Sequence, residues 1–408
     1  MRTIRIVSIL SLILLFHSQL KSQETGYYSN VQRDIDMAKE LFANGKYIST
    51  FREFQKIQKQ VDENSELYSE AEYYKSVSAL KAGYTAGSKM LTAFTKDFSE
   101  SPYINNARFY LGEYQFDKKQ YAVAIKTFEI VDRKDLNEQD RIKLTYQNGY
   151  ANLVTDNKEV AAKEFSAVKD ANSIYSKPAT YYWAHIMYMQ EKYPEALEGF
   201  RKLNNDPAYS KVIPMYISHI YYKQQNYAEV VNYTSQVIND VEEEQKPELS
   251  KILGDSYFHL GNYEKAIPYM EAYFNFSKLQ TREENYVLGY CYHYTGQFDK
   301  AKQYLEKASK GDDEMAQNAY YHLADCYVKT NEKEKAKMAY DAASKLSFDE
   351  KIQEEALFNY AKLTYELSFS PFNETIKAFD AYIEKYPDSE HNAEAYRIDR
   401  KSTRLNSS

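Results

Sequence analysis

Histidine and cysteine are the side chains of this sequence best suited to metal or nucleophilic chemistry, and both are spread thinly along the chain. The sequence has 7 histidines and 2 cysteines. They include His185, His219, His259 and His293, one in each of four consecutive stretches of the chain, and Cys291 and Cys326. A metal ion needs ligand atoms within a few ångströms of one point, which such wide spacing does not supply. The sequence therefore predicts no metal site and no cofactor.

Motifs of catalysis do not assemble in this sequence. It contains no G-x-S-x-G, no H-E-x-x-H, no glycine-rich phosphate loop and no closely spaced Cys/His set. Scattered carboxylates on helical surfaces are ordinarily solvated charges. We therefore predict no catalytic residue and no enzymatic activity. A net charge of -7 also argues against nonspecific nucleic-acid binding, which requires a basic surface.

The first 22 residues have the layout of a secretory signal peptide. Arg2 and Arg5 precede an uncharged apolar run over 6–16, and a polar segment with Ser18 and Ser22 follows. The run is too short to span a bilayer core of about 30 Å. No cysteine follows it before Cys291, so a lipoprotein signal is absent. We expect residues 1–22 to be removed and the remainder to be exported.

Beyond this segment the chain repeats a pattern with a period near 35 residues. A residue that is small in most units recurs ten times, at successive spacings of 34 to 40 residues. The ten positions are Thr50, Met90, Ala124, Ala161, Ala196, Val230, Ala266, Ala301, Ala336 and Thr375. Twelve residues earlier the residue is again small, and four residues later it is usually large and apolar. Such a register favours repeated helix-turn-helix units.

The repeat is clearest from Leu253 to Tyr273. Leu253, Gly254, Tyr257, Ala266 and Tyr273 match the spacing of the tetratricopeptide repeat (TPR) signature, and the chain resembles that family. The resemblance implies an all-α, right-handed TPR α-solenoid, a superhelix of helix-turn-helix repeats. It assigns about ten TPR-like repeats to residues 31–387. We interpret 388–400 as the first helix of a truncated further repeat, and 401–408 as a non-native tail that resembles sequencing-adapter contamination.

The resemblance also implies which residues carry structure and which carry binding. In TPR proteins the first helix of each unit lines a concave groove. Carried over, the groove positions are Tyr181, His185, Tyr188, Met215, His219, Tyr222, Phe258, His259, Tyr286, Tyr290, His293, Tyr294 and Tyr321. The structural repeat positions are Gly112, Ala124, Ala184, Ala196, Gly254, Ala266, Gly289, Ala301, Ala324 and Ala336. The aromatic residues have two interpretations, because tyrosine serves equally in helix packing and in partner binding.

Cys291 and Cys326 occupy the same position in adjacent units. Equivalent positions on neighbouring repeats are separated by roughly 10 Å, one helix diameter, which exceeds the ~7 Å limit between Cα atoms of a disulfide. We therefore predict two buried free thiols, even in an oxidising compartment.

Exported TPR proteins are typically interaction modules, and the resemblance implies a protein–protein interaction scaffold of the bacterial cell envelope. Its partner would be a protein or peptide held in the groove, with no nucleic acid and with membrane association only through partners. The implied location is the periplasm. Two alternatives remain: a cell-wall or glycan-binding accessory protein, and the N-terminal repeat region of a longer protein with a missing effector domain.

Overall fold

Helices make up the regular structure of the chain. The computed structural model describes residues 30–368 and 373–406. No strand occurs among them, so the predicted all-α TPR class is confirmed. The helices are α1 (30–43), α2 (Tyr47–Ile57), α3 (Glu66–Lys81), α4 (Gly87–Asp97), α5 (Ile104–Asp117), α6 (Tyr121–Glu129), α7 (Glu138–Val154), α8 (Lys158–Val168), α9 (Ser176–Met189), α10 (Tyr193–Leu203), α11 (Ile213–Lys223), α12 (Tyr227–Val237), α13 (Lys246–His259), α14 (Tyr263–Phe276), α15 (Arg282–Tyr294), α16 (Phe298–Ala308), α17 (Glu314–Lys329), α18 (Lys333–Lys345), α19 (Glu350–Leu367), α20 (Asn373–Lys385) and α21 (Asn392–Asn406).

The helices α1 to α20 form ten consecutive pairs, and α21 follows the last pair. Each second helix begins two or three residues before the aligned residue of the repeat register. The contacts divide the chain into two compact units, one ending at Gly199 and the other beginning at Phe200. None of the described helices combines the length and apolarity that crossing a bilayer requires. The predicted signal peptide, residues 1–22, lies outside the described residues.

Close helix crossing explains why the first helix of each pair carries a small residue in mid-helix. A Cβ added to Gly254 would lie 2.8 Å from Cγ of Met270, and one added to Gly112 would lie 2.4 Å from Cε1 of Phe128. Both distances are far inside van der Waals contact, so any larger residue must displace the side chain of the partner helix that it meets. All ten predicted structural repeat positions are buried.

The turn between the paired helices depends on one residue with positive φ. Four such residues are glycines: Gly45, Gly83, Gly261 and Gly296. Five are not: Lys119, Asp156, Glu191, Gln225 and Asn331. The left-handed conformation costs a non-glycine residue about 1–2 kcal/mol. The repeat geometry therefore holds in these five turns even where the local sequence opposes it.

The second repeat departs from the predicted register in one respect. The small residue that meets the first helix is Gly87, not the aligned Met90, which is only half-buried. A Cβ on Gly87 would lie 2.6 Å from the Leu80 backbone. Leu91 and Phe94 then continue the buried face. The small residue of α4 that contacts α3 therefore lies three residues, almost one helical turn, before the aligned position. Phe94, the large residue of the register, is buried at its predicted position.

The last helix also differs from its predicted bounds. It begins at Asn392 and continues to Asn406 without a break at residue 400. Ala395, Ile398 and Ser402 form its buried face. Residues 401–406 are thus helical, and 407–408 lie outside the described residues.

Candidate functional site

Five aromatic rings form one connected surface in the second unit, which we call the aromatic face: Phe258, Tyr263, Tyr286, Tyr290 and Tyr294. They come from α13, α14 and α15. Phe258 meets Tyr290 edge-to-face with centroids 5.6 Å apart, and Tyr263 lies 5.3 Å from Tyr290 and 4.4 Å from Tyr294. Edge-to-face contacts of this kind are favourable and leave ring surface uncovered on the outer side.

Exposure within the aromatic face rises toward the end of α15. Tyr294 is 61% exposed, whereas the other four rings are half-buried. His293 and Tyr294 are the last two predicted groove residues on α15. Its only ring contact in the described part of the chain is the tilted one with Tyr263. Tyr294 is therefore the ring of this surface most available to a partner.

One contact joins each first helix to the next along this side of the second unit, from α11 to α17. The Tyr222 hydroxyl donates to Oδ2 of Asp255 at 2.6 Å. Phe258 meets Tyr290, as described above, and the His293 Nε2 lies 2.8 Å from Oδ2 of Asp325. Tyr222, Phe258 and His293 occupy the same position of successive repeats. These three predicted groove residues therefore also hold neighbouring repeats together.

His259 lies at the rim of the same side. Its ring stacks on Tyr227 with centroids 4.3 Å apart and an interplanar angle of 10°. Its Nε2 is 3.4 Å from Oδ2 of Asp255, and the residue is exposed. Met215 packs against the core from α11, and Tyr321 packs against it from α17.

His322 belongs to this region and was missed by sequence analysis. Its ring lies 4.8 Å from Tyr290 and 4.9 Å from His293. Burial, and next the neighbouring His293, lowers the pKa of His322 to about 4. The Nδ1 atoms of both histidines are buried without a hydrogen-bond partner in the described structure. Groove positions carried over from TPR proteins exclude residue 322, so no motif pointed to it.

Two further predicted groove histidines have half-buried rings with altered basicity. Burial, and next the charge of Lys158, lowers the pKa of His185. Burial, and next the charge of Lys223, lowers the pKa of His219. His185 stacks on Tyr181 at 6.2 Å in the first unit, and Tyr188 lies 6.5 Å from Tyr193 there.

A cluster of charged residues joins three first helices of the first unit. Glu113 is buried between Lys81, at 2.7 Å, and Lys143. Burial alone would raise the pKa of Glu113, but the hydrogen bonds from Lys143 and Lys81 outweigh it and lower the pKa. The three residues come from α3, α5 and α7. This network has the character of a structural tie between repeats.

Both cysteines lie in the core of the second unit. Cys291 and Cys326 are fully buried, on α15 and α17. Burial, and next the charge of Asp255 for Cys291 or of Asp325 for Cys326, raises each thiol pKa to about 12. Protonated, buried thiols are poor nucleophiles and poor metal ligands. The prediction that they remain reduced stays a prediction.

Glu355, Glu390 and His391 form a cluster that sequence analysis did not single out. One ligand atom from each residue lies within 4.8 Å of the others. Glu355 comes from α19, whereas Glu390 and His391 immediately precede α21. Only the fold brings together residues so far apart in the sequence.

Comparisons with known proteins agree with the repeat architecture. Residues 261–343 match the family described as anaphase-promoting complex, cyclosome, subunit 3. No curated protein matches the sequence. Ten helix pairs with buried small residues at their crossings give the described residues a fold of the TPR type, and the family match over residues 261–343 agrees with it.

Three solved structures similar to this chain are described as TPR proteins, and each has low sequence identity to it. YrrB, a TPR protein with an unusual peptide-binding site, is 18% identical, with coverage of 48% of this chain and 98% of YrrB at a TM-score of 0.39. The C-terminal part of a TPR protein from Cytophaga hutchinsonii is 14% identical, and the match covers 66% of this chain and 98% of that structure at a TM-score of 0.37. A TPR protein from Parabacteroides merdae is 15% identical, and the match covers 72% of this chain and 98% of that structure at a TM-score of 0.34.

Proposed function

We propose that this TPR protein is a protein–protein interaction scaffold of the bacterial cell envelope, and that it binds an extended partner segment on the aromatic face. The observation that carries this proposal is the 61% exposure of Tyr294 at the end of a connected row of half-buried rings. Aromatic residues that are rigid and partly exposed are the usual anchors of protein interfaces, because they contribute large contact area at little entropic cost.

The packing of the aromatic face supports binding at this place. Tyr290 contacts Phe258, Tyr263 and Tyr286 as well as His322. A partner segment that covers Tyr294 would therefore meet a surface that is already ordered. Ordering these side chains before binding reduces the entropic cost of association.

The envelope location rests on the sequence of residues 1–22, with Arg2 and Arg5 before an apolar run. A partner in this compartment would be another exported protein or an exposed segment of a membrane protein. Nothing in this proposal requires a cofactor.

The experiment that tests the binding face uses two matched tyrosines. Peptides that bind the wild-type protein are selected from a displayed random library, and their affinities are measured by fluorescence polarisation. Tyr294→Ala removes an anchor of the aromatic face. Tyr396→Ala removes a tyrosine of similar exposure, 57%, on α21. We expect Tyr294→Ala to weaken binding about tenfold or more and Tyr396→Ala to leave it unchanged.

Thermal unfolding of both variants separates binding from packing. Equal affinity of wild type and Tyr294→Ala would refute the aromatic face as the binding surface. A different result would support the glycan-binding alternative. In that case the library yields no binding peptide, and soluble peptidoglycan fragments bind the wild type but not Tyr294→Ala.

A further inference from the structure

The cluster of Glu355, Glu390 and His391 has a geometry set by the packing of two repeats. The His391 ring stacks on Phe358 with centroids 4.4 Å apart and an interplanar angle of 11°. This stacking fixes the direction of the ring and places Nε2 3.1 Å from Oε1 of Glu355. The stacking thus holds the His391 imidazole, just before α21, against the Glu355 carboxylate of α19.

Charge balance distinguishes this cluster from the ion pairs elsewhere on the surface. Neither Glu355 nor Glu390 pairs with a lysine or arginine among the described residues. Lys362, which lies over the Phe358 ring, pairs with Glu394 at 3.3 Å. The Glu355 charge contributes, after burial, to raising the pKa of Tyr321. Two carboxylates thus converge on one imidazole with only that ring to balance them.

The three ligand atoms lie within 4.8 Å of one another, so small side-chain shifts bring them to the spacing of a single small cation. Tetrahedral zinc with bonds near 2.0–2.1 Å holds its ligand atoms roughly 3.4 Å apart. The Glu355 and His391 atoms are 3.1 Å apart in a hydrogen bond, which a bound cation would replace at a similar spacing. Glu390 is exposed, so its side chain can rotate to complete the set. An imidazole nitrogen among carboxylate oxygens favours zinc and similar transition metals over magnesium or calcium.

We propose that Glu355, Glu390 and His391 form a binding site for a divalent transition metal ion of the zinc class. The ion would have three protein ligands and leave a coordination position for water or a partner's side chain. By joining α19 to the segment before α21, it would tie the last described repeats of the second unit together. Metal binding requires His391 to be neutral and both carboxylates to be charged.

The test is a titration of the full chain with Zn²⁺ after treatment with a chelator. Isothermal calorimetry gives stoichiometry and affinity, and Co²⁺ in place of Zn²⁺ gives a visible absorption spectrum of the site. The variants are Glu355→Gln, Glu390→Gln and His391→Gln. The control is His259→Gln, which changes an exposed histidine that also lies beside a carboxylate, Asp255.

We expect one saturable site in the wild type, an affinity at least about tenfold lower in each ligand variant, and no change in His259→Gln. Glu390→Gln is decisive, because the side chain is exposed and its replacement leaves the fold intact. Wild-type protein without saturable binding would overturn the proposal. So would a site whose affinity is unchanged in Glu390→Gln and His391→Gln.

Discussion

Replacement of Gly112 by alanine tests how tightly the paired helices cross. Its Cβ would lie 2.4 Å from Cε1 and 2.7 Å from Cδ1 of Phe128, whose ring is 1% exposed. A contact of normal length requires the ring to move by about 1 Å in a filled core, which costs about 2–3 kcal/mol by overpacking. Alanine also returns about 1 kcal/mol of helix propensity relative to glycine. The net loss of stability should be about 1–2 kcal/mol.

Gly149→Ala is the matched control. Gly149 occupies the same repeat position one pair later, but its Cβ would lie 3.1 Å from Cβ of Glu164 and 3.1 Å from Cε1 of Phe165. A shift of a few tenths of an ångström relieves these contacts, so the helix-propensity gain of about 1 kcal/mol should offset the cost. Urea unfolding followed by circular dichroism, with hydrogen exchange in α5 to α8, measures both variants. Equal destabilisation by Gly112→Ala and Gly149→Ala would refute the crossing-distance argument.

Three further predictions concern protonation, the thiols and export. Because the folded pKa of His322, about 4, lies below its ordinary value of 6.5, neutral His322 contributes stability above about pH 6.5 that is lost as pH falls toward 4. Urea unfolding at pH 7 and 4.5 should show a smaller difference for His322→Phe than for wild type. Cys291 and Cys326 should resist an alkylating agent in the folded protein, and both should react with it after unfolding although no reductant is added. Mass spectrometry counts the modified cysteines, and a mass two daltons lower with no alkylation would indicate a disulfide instead. N-terminal sequencing should find mature protein that begins between Gln19 and Glu24, whereas retained Met1 would contradict cleavage.

Most of the fold could be predicted from the sequence, because two kinds of residue recur at fixed positions of each repeat. Small residues such as Gly254 mark the helix crossings, and large ones such as Phe128 fill the space beside them. The sequence shows that the second repeat departs from that register, with Gly83, Gly87 and Met90 in place of the usual turn and small residue, but the register does not show which of them meets the first helix. Gly87 and Met90 both lie near the start of α4, and only the positions of the helices decide which one meets Leu80.

The candidate site was less accessible to sequence analysis, because a repeat register assigns a position but not a contact. It selected Tyr290 and Tyr294 but not Tyr263, which opens the second helix of its pair and completes the aromatic face. It also omitted His322, and it had no means of joining Glu355 to His391. The aromatic residue that opens most second helices is the one signal that could have found Tyr263.

Contacts between repeats now divide the predicted groove residues into two kinds. Tyr222 and His293 are engaged by Asp255 and Asp325 of the next repeat, so their removal should lower stability whether or not a partner binds. Tyr294 makes no side-chain hydrogen bond of this kind in the described structure and touches the preceding repeat only through the Tyr263 ring, so its truncation removes mainly a surface that is exposed in the free protein. The groove and packing interpretations therefore apply to different side chains of the same helices. The rings that order the face and the ring proposed to meet a partner are separate, and such a surface can be rigid and still accessible.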